Sequence, residues 1–285
     1  LQMRCTAQGG ATGPDQMNAH WENIKSCGGF ASQLSVRRYE GSSLCSQPPV
    51  VLYLRGGSFL EPGLEPGGNC PELPVARALA ESGAVVVEAD YSRPSGNEFP
   101  MVIDCAYEAL DRLSRDRKHY GGAKSLLFVA GEEAGGNVAA GLALKARDRM
   151  PGKLAGQILL SPMIDPMMTT ESFRDADRIG MRQRWADGWS HYLAKACGFF
   201  HPYAAPCQCT RLNRVAPALI FTAEDDPLRD ETVNYGDRLI ASGVSVRQHV
   251  FPAGVGWTGL YQGEGGGWVS SVCSEFKTFV DQLNH

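Results

Sequence analysis

Two adjacent glutamates lie in a glycine-flanked turn between a buried-type strand and a helix of small residues. The stretch FVAGEEAGGNVAAG runs from Phe128 to Gly141 and places Glu132 and Glu133 at the turn, with no serine beside them. A sharp strand-to-helix turn of this kind, a nucleophile elbow, presents one side chain to a reacting atom. A carboxylate presented in this way can abstract a proton next to a carbonyl group, provided that nearby amides stabilise the resulting enolate.

Apolar runs that alternate with amphipathic segments from residue 49 onward predict the fold that positions these glutamates. Strands are predicted at residues 49–57, 84–91, 125–131, 154–162, 216–226 and 244–252, and helices at residues 71–83, 100–122, 135–149, 229–243 and 268–283. Short strands alternating with helices indicate an α/β fold, a mostly parallel doubly wound sheet with helices on both faces. Ligands in such folds bind beyond the carboxyl ends of the strands, which is where both glutamates lie.

Two segments stand apart from this alternation. Residues 1–47 are polar and glycine-rich, and we expect them to form an N-terminal cap or peripheral segment beside one domain that spans residues 48–285. Residues 163–205 stand between two strands and are rich in methionine and aromatic residues, among them Trp185 and Trp189. Because this insertion follows the carboxyl end of a strand, we interpret it as a lid over the site. Ordinary helix packing is the alternative explanation of its composition.

The composition excludes several classes of function. The 285 residues, 43% of them hydrophobic and 20% charged, are typical of a globular protein with one large domain. A formal net charge of −4 argues against a nucleic-acid-binding surface. No apolar run reaches the roughly 18 residues of a membrane helix. No signal peptide is recognisable, so a cytoplasmic location is expected.

Nine cysteines are scattered through the chain. They are Cys5, Cys27, Cys45, Cys70, Cys105, Cys197, Cys207, Cys209 and Cys273. The closest pair, Cys207 and Cys209, lacks the two-residue spacing typical of zinc and redox sites, so no metal is expected. Free thiols in a reducing compartment are the simplest interpretation. If the protein is exported, disulfides among Cys5, Cys27 and Cys45 are the alternative.

Five motifs in order resemble the hormone-sensitive-lipase-like branch of the α/β-hydrolases, over nearly the whole chain from about residue 49. VLYLRGGSFL is similar to that branch's strand and HGGG oxyanion loop, and GEEAGGNVAA to its Gly-Asp-Ser-Ala-Gly-Gly elbow. VVVEADYSRPSGNEFP, LLSPMID and TAEDDPLRDE resemble its Val-Asp-Tyr segment, the strand after the elbow, and the turn that carries the catalytic acid. The resemblance implies an α/β-hydrolase fold with a helical lid.

The same resemblance implies that the residue types of an esterase are replaced at the elbow and the oxyanion loop. Glu133 stands at the nucleophile position and Glu132 at the preceding Asp position. In the loop, Arg55 stands where the branch has His, and Ser58 where it has a third Gly. The serine that attacks the ester in this branch is therefore missing.

The acid and histidine positions lie closer to the C-terminus. Asp226 matches the branch's acid, and counting on by the usual spacing leads to Gly256 rather than to a histidine. Trp257 is expected to fill the vacated space, and His249 falls within the last predicted strand, from which it cannot reach that place. Asp226 then either takes part in altered chemistry or caps the helix that follows it.

The leading hypothesis is a non-hydrolytic enzyme of the lyase, isomerase or cyclase type, acting on a small, largely apolar carbonyl compound without a cofactor. Glu133 is predicted to abstract the proton, and the backbone amides of Gly56, Gly57 and Ala134 to stabilise the enolate as an oxyanion pocket. Apolar surroundings raise the pKa of a carboxyl group and strengthen it as a base.

Two alternatives stay open. If Arg55 pairs with Glu133 or Glu132, the carboxylate is a poor base, and the chain is a pseudoenzyme that binds a small molecule or a partner. Gibberellin receptors, which also resemble this branch, work in that way. The second alternative is residual or atypical ester hydrolysis. A homodimer is a further expectation, because members of this branch often dimerise. The residues expected to line the pocket are Arg55, Ser58, Glu132, Trp185, Trp189 and Trp257.

Overall fold

The predicted alternation builds an eight-stranded sheet in a computed structural model of the chain. The structure describes residues 18–25, 33–41, 44–60, 71–91, 98–194 and 200–284. The strands are β1 Asn18–Lys25, β2 Gln33–Glu40, β3 Val50–Leu54, β4 Val85–Ala89, β5 Leu127–Glu132, β6 Gly156–Leu160, β7 Ala218–Ala223 and β8 Val246–Phe251. They lie in the order β1–β2–β4–β3–β5–β6–β7–β8, and all neighbours from β4 to β8 are parallel. This confirms the α/β fold class.

Helices cover both faces of the sheet. The α-helices are α1 Pro74–Glu81, α2 Met101–Arg115, α3 Arg117–Tyr120, α4 Glu133–Arg149, α5 Arg182–Tyr192, α6 Arg229–Ala241 and α7 Trp268–Leu283. Short 3-10 helices span Ser172–Ile179, Pro206–Gln208 and Trp257–Gln262. The predicted helices match these bounds closely, except that the one predicted over residues 100–122 divides at Asp116 into α2 and α3.

Two apolar cores, one on each face, hold the sheet between its helix layers. Alternate residues of β3 show the division. Val50, Leu52 and Leu54 pack in the core that contains α2 and α4, whereas Val51 and Tyr53 pack in the core that contains α1 and α7. Every residue of the strands from β3 to β7 is buried. Burial from both faces explains why these strands read as continuous apolar runs in the sequence.

The N-terminal part of the chain differs from the peripheral cap expected over residues 1–47. Strands β1 and β2 form the antiparallel edge of the same sheet, and β2 pairs with β4. Strand β2 is difficult to recognise in the sequence because this strand carries charged residues at positions that are usually apolar. Arg37 is only 5% exposed because Glu88 on β4 accepts its hydrogen bonds. Residues 1–17, 26–32 and 42–43 lie outside the described ranges.

Residues 163–205 lie between β6 and β7, as the lid interpretation requires, and contain α5. Residues 195–199 of this insertion are outside the described part. Among the described helices, none is long and apolar enough to cross a membrane. Within the same ranges, no group of His, Cys, Asp and Glu side chains is arranged to hold a metal ion.

Five cysteines fall within the described residues, and no disulfide joins any two of them: Cys45, Cys105, Cys207, Cys209 and Cys273. Cys45 is one of the three residues considered for a disulfide. Its expected partners, Cys5 and Cys27, lie outside the described ranges.

Candidate active site

The turn between β5 and α4 has the geometry of an elbow. β5 ends at Glu132 and α4 begins at Glu133, whose φ of 52° lies in the left-handed region. Residues other than glycine rarely adopt this conformation, and it concentrates at functional sites. Gly135 allows α4 to approach the sheet, since a Cβ there would lie 2.1 Å from the carbonyl oxygen of Leu54. The turn therefore presents the Glu133 side chain at the carboxyl end of the sheet.

Both oxygens of the Glu133 carboxylate are fully hydrogen-bonded. Oε2 accepts from the backbone amides of Gly57 and Ser58, at 2.5 and 3.0 Å. Oε1 accepts from the Ser58 hydroxyl and the Trp185 indole, each at 2.6 Å. A carboxylate offers about four lone-pair positions, and these donors fill them. Glu133 is 2% exposed, so in this conformation its carboxylate has no lone pair free for a substrate proton.

The loop after β3 supplies three of the four donors. Gly57 and Ser58 have positive φ values of 121° and 57°, and their amides point at Glu133. Gly56 makes room for the carboxylate, because a Cβ there would lie 2.7 Å from Oε2. The arrangement differs from the predicted oxyanion set of Gly56, Gly57 and Ala134. The Gly57 amide is occupied by Glu133 itself, and its partner donor is Ser58 rather than Ala134, which is buried at the start of α4.

The insertion closes over this carboxylate through α5. Trp185 is fully buried and donates to Glu133, while Nε of Arg184 lies 3.2 Å from the Ser58 hydroxyl oxygen. The backbone of α5 comes so near the loop that a Cβ at Gly188 would lie 1.9 Å from the Ser58 carbonyl oxygen. The site is therefore covered by direct contact of the insertion with the loop.

Aromatic packing holds α5 against the same loop. The Phe59 ring stacks on Tyr192 with centroids 4.1 Å apart, and Trp189 packs against Phe59 at 5.4 Å. The carbonyl of Tyr192 accepts a hydrogen bond of 2.8 Å from the Phe99 amide. Trp189, predicted to line the pocket, is 4% exposed and takes part in this packing.

Asp226, in the turn after β7, is also saturated with donors. Its carboxylate accepts from the Trp257 indole at 3.0 Å, the Tyr261 hydroxyl at 2.5 Å, the Thr222 hydroxyl at 2.7 Å, the Leu228 amide at 2.9 Å, and the Ser161 hydroxyl. Gly256 is exposed, and a Cβ there would meet nothing within 4 Å, so residue 256 does not project at Asp226. Trp257 instead occupies the donor position beside the acid. The Leu228 amide that donates to Asp226 lies directly before α6, so Asp226 orders the turn into that helix, although α6 itself begins without a side-chain cap.

Two aromatic side chains lie between the two carboxylates. Trp185, the donor to Glu133, packs edge-on against Tyr261 with ring centroids 5.1 Å apart. Tyr261 in turn donates to Asp226. Burial, together with the charge of Asp226, raises the pKa of Tyr261 well above its usual value, so the phenol stays neutral and remains a donor. Between Glu133 and Asp226 there are thus two aromatic rings, those of Trp185 and Tyr261, where a catalytic triad would have a histidine base.

Comparison with known proteins shows the family. A family model described as an alpha/beta hydrolase fold matches residues 51–256. The chain belongs to the α/β-hydrolases. Carboxylesterase NlhH of Mycobacterium tuberculosis is 33% identical over 221 residues, which cover 75% of this chain and 68% of that protein. This relative supports the assignment to the hormone-sensitive-lipase-like carboxylesterase branch.

Relatives of this α/β-hydrolase include a receptor as well as esterases. Gibberellin receptor GID1A of Arabidopsis thaliana is 28% identical over 247 residues, covering 82% of this chain and 68% of that protein. The solved structure of a hyperthermophilic esterase from Pyrobaculum calidifontis superposes with a TM-score of 0.73 at 28% identity. That match covers 90% of this chain and 86% of the esterase.

Arg55, whose pairing with Glu133 or Glu132 was the condition of the pseudoenzyme alternative, makes its described hydrogen bonds to other groups. Its guanidinium donates to Glu88 on β4 at 2.8 Å and to the Pro71 carbonyl at 2.7 Å. Glu88 is fully buried and also accepts from Arg37 and Tyr39, both at 2.7 Å. The arginine therefore connects the start of the loop after β3 to β4, where it helps to neutralise a buried carboxylate.

Glu132 lies behind the loop, on the face of the sheet that carries α1 and α7. Its carboxylate accepts a 2.6 Å hydrogen bond from the Tyr53 hydroxyl. Burial raises the pKa of Glu132 to about 7, and the Tyr53 hydrogen bond, the charge of Arg55 and a Gly56 backbone hydrogen bond each oppose that rise. This carboxyl changes its charge near neutral pH.

The sequence predicted that Trp185 and Trp257 lie near Glu133 and Asp226, but it did not predict two further sources of donors. The Tyr261 hydroxyl donates to Asp226, and the Ser58 amide and hydroxyl donate to Glu133. The available signals were a hydroxyl residue in a loop normally made of glycines, and a tyrosine four residues after Trp257. His249 lies in β8 as predicted, with its Nε2 3.0 Å from Glu275.

Proposed function

We propose that this chain is a binding protein on the α/β-hydrolase fold, in which Glu133 occupies the oxyanion pocket and ester hydrolysis at the elbow is absent. One observation carries the proposal: four donors from the loop and the insertion fill the lone pairs of Glu133. The amides of Gly57 and Ser58 bind this internal carboxylate, so they are not vacant for the oxyanion of a tetrahedral intermediate.

The acid position supports the same proposal. A working triad needs a histidine that accepts the nucleophile's proton while it donates to the acid. Here the Trp257 indole donates to Asp226, and an indole nitrogen has no lone pair with which to accept a proton. In this conformation, therefore, neither Glu133 nor the partners of Asp226 can accept a proton in acyl transfer.

Ligand binding without turnover is the function that best fits such a site. The similarity to a protein named a gibberellin receptor, over 82% of this chain, supports a receptor-like use of the fold. We propose a small organic molecule as the ligand, because concave sites at the carboxyl edge of such sheets accommodate ligands of that size.

An ester assay tests this proposal. The wild type and Glu133→Gln are compared on p-nitrophenyl acetate and butyrate, with a related carboxylesterase in parallel to show that the assay detects hydrolysis. We expect both forms to match the rate in buffer alone. Hydrolysis by the wild type that disappears in Glu133→Gln would mean that the elbow carboxylate is catalytic.

A second candidate function is proton abstraction by Glu133, and one contact favours it. Of the four donors, only the Trp185 indole comes from the insertion, so a shift of α5 would free a lone pair on Oε1. Deuterium exchange into the α-positions of a cyclic ketone, followed by NMR, tests this chemistry. Faster exchange with the wild type than with Glu133→Gln is the expected result for a base, and equal rates would exclude it.

A further inference from the structure

A groove with unpaired cations lies at the amino-terminal ends of the strands, whereas the elbow lies at their carboxyl ends. It has a volume of about 470 Å3 and is formed where α2 ends, where α3 follows, and where Lys153 precedes β6. Because these segments lie next to the first residues of β5 and β6, the groove is at the amino-terminal edge of the strands. The site is therefore independent of Glu133 and of the function proposed above.

The charges that line this groove are not balanced. Asp116 is paired with Arg112 at 2.5 Å, and Arg115 with Asp111 at 2.6 Å. Within the described ranges, no carboxylate lies within ion-pair distance of the other three lining cations. These cations are Arg117, Lys118 and Lys153. Three positive charges thus remain unpaired in one groove of a chain whose formal net charge is −4.

Interaction with the helix dipole explains only some of the cations that line this groove. Cations near a helix C-terminus interact favourably with its dipole, which explains Arg112 and Arg115 in the last turn of α2. Lys153 belongs to a different segment, the turn between α4 and β6. Its carbonyl accepts a 3.4 Å hydrogen bond from Nη2 of Arg117, so α3 and this turn are in contact. Cations from both segments line the same groove.

We propose that this groove binds a phosphate-bearing anion through Arg117, Lys118 and Lys153. Arginine recognises phosphate oxygens through its planar set of donors, and lysine adds a mobile point charge. Besides its polar residues, the groove is lined by Ala123, so it offers charge rather than an apolar surface for peptide side chains. The phosphate belongs either to a free polyphosphate ester or to a phosphoinositide headgroup.

Calorimetric titration with inorganic tripolyphosphate at low salt tests the proposal. The variant Lys118→Gln/Lys153→Gln removes two exposed groove cations. The control Arg214→Gln/Lys277→Gln removes two exposed cations elsewhere, so both variants have the same net charge. We expect the groove variant to bind at least about tenfold more weakly than the wild type, since two charge contacts are lost. The control should stay within about twofold, and thermal melts verify that all forms are folded.

Two outcomes overturn the proposal: no binding to the wild type, or an equal loss in the groove variant and the control, which would show nonspecific attraction. Sedimentation with phosphatidylcholine vesicles, with and without phosphoinositide, separates the two phosphate sources. Sedimentation with the phosphoinositide vesicles that is lost in the groove variant identifies a headgroup site. Tripolyphosphate binding without sedimentation identifies a site for a free phosphate ester.

Discussion

Glu133 is a buried carboxylate whose neighbours are all donors, and this determines what each substitution there does. The nearly isosteric change Glu133→Gln replaces one acceptor oxygen by an NH2 group. The best orientation keeps the amide oxygen on the Gly57 and Ser58 amides and places the NH2 on the Ser58 hydroxyl, which can rotate to accept. The Trp185 indole then faces a donor and loses its hydrogen bond.

We therefore predict that Glu133→Gln destabilises the fold by about 1–3 kcal/mol, the cost of leaving a buried donor unpaired. Urea unfolding measures the change, with the exposed Glu171→Gln as the control. Trp185→Phe in the Glu133→Gln background should cost less than in the wild type, because the indole donor is already unpaired there. A double-mutant cycle with no coupling between the two positions would show that the hydrogen bond does not contribute.

Glu132 leads to a prediction of pH dependence. Its pKa in the folded chain is about 7, above its ordinary value of 4.5. Between those values the folded chain keeps a proton that the unfolded chain has lost, so stability falls as the pH rises. This contribution is fully present below about pH 4.5 and is lost above about pH 7.

Glu132→Gln imitates the protonated carboxyl group and removes this titration. The unfolding free energy of Glu132→Gln minus that of the wild type, measured from pH 5 to 8, should therefore increase with pH, because only the wild type loses a proton and becomes less stable. A difference that stays constant over that range would mean that Glu132 titrates at the same pH in the folded and unfolded chains.

At the scale of the elements, the contact between α5 and the oxyanion loop keeps the site closed. Gly188 lies inside α5, where alanine normally favours a helix by about 1 kcal/mol. In this structure the added Cβ would lie 1.9 Å from the Ser58 carbonyl oxygen, which is backbone and cannot move aside independently. Because of this contact, alanine at position 188 should destabilise the protein, although alanine is normally the better helix former.

We predict that Gly188→Ala lowers the melting temperature and increases proteolysis within the insertion. Gly267→Ala is the matched control, since a Cβ at that position meets nothing within 4 Å and its φ of −57° suits alanine. An unchanged or raised melting temperature for Gly188→Ala would show that α5 does not pack on the loop as described.

The elements also show what could be predicted from the sequence. The parallel strands were recognisable because burial on both faces makes them uniformly apolar, and the elbow because of its glycines. Strand β2 was not recognisable, since its Arg37 is buried only because it pairs with Glu88, about fifty residues away in the chain. For the same reason, the sequence named Gly57, Ser58 and Trp185 as site residues but did not predict that they donate to Glu133. They come from the loop after β3 and from α5, and only the tertiary fold brings these segments together.

At the scale of the whole molecule, the chain keeps the architecture of an esterase branch while both carboxylates of the site are enclosed by donors. Residues 51–256 match the α/β-hydrolase model, and the sheet, elbow and acid turn are all in place. The changes therefore concern the groups that fill the site rather than the scaffold. In this account Glu133 is an internal ligand of the oxyanion pocket.

Rescue of Glu133→Gly by propionate tests this account most directly. Glycine suits the φ of 52° at the elbow, and propionate has the shape of the side chain that the substitution removes. A ligand that binds only the folded state raises its stability. We predict that propionate raises the melting temperature of Glu133→Gly in a saturable manner, whereas neutral propionamide does not, and that the wild type responds to neither. An equal response of the variant and the wild type to propionate, or a variant as stable as the wild type without it, would contradict the account.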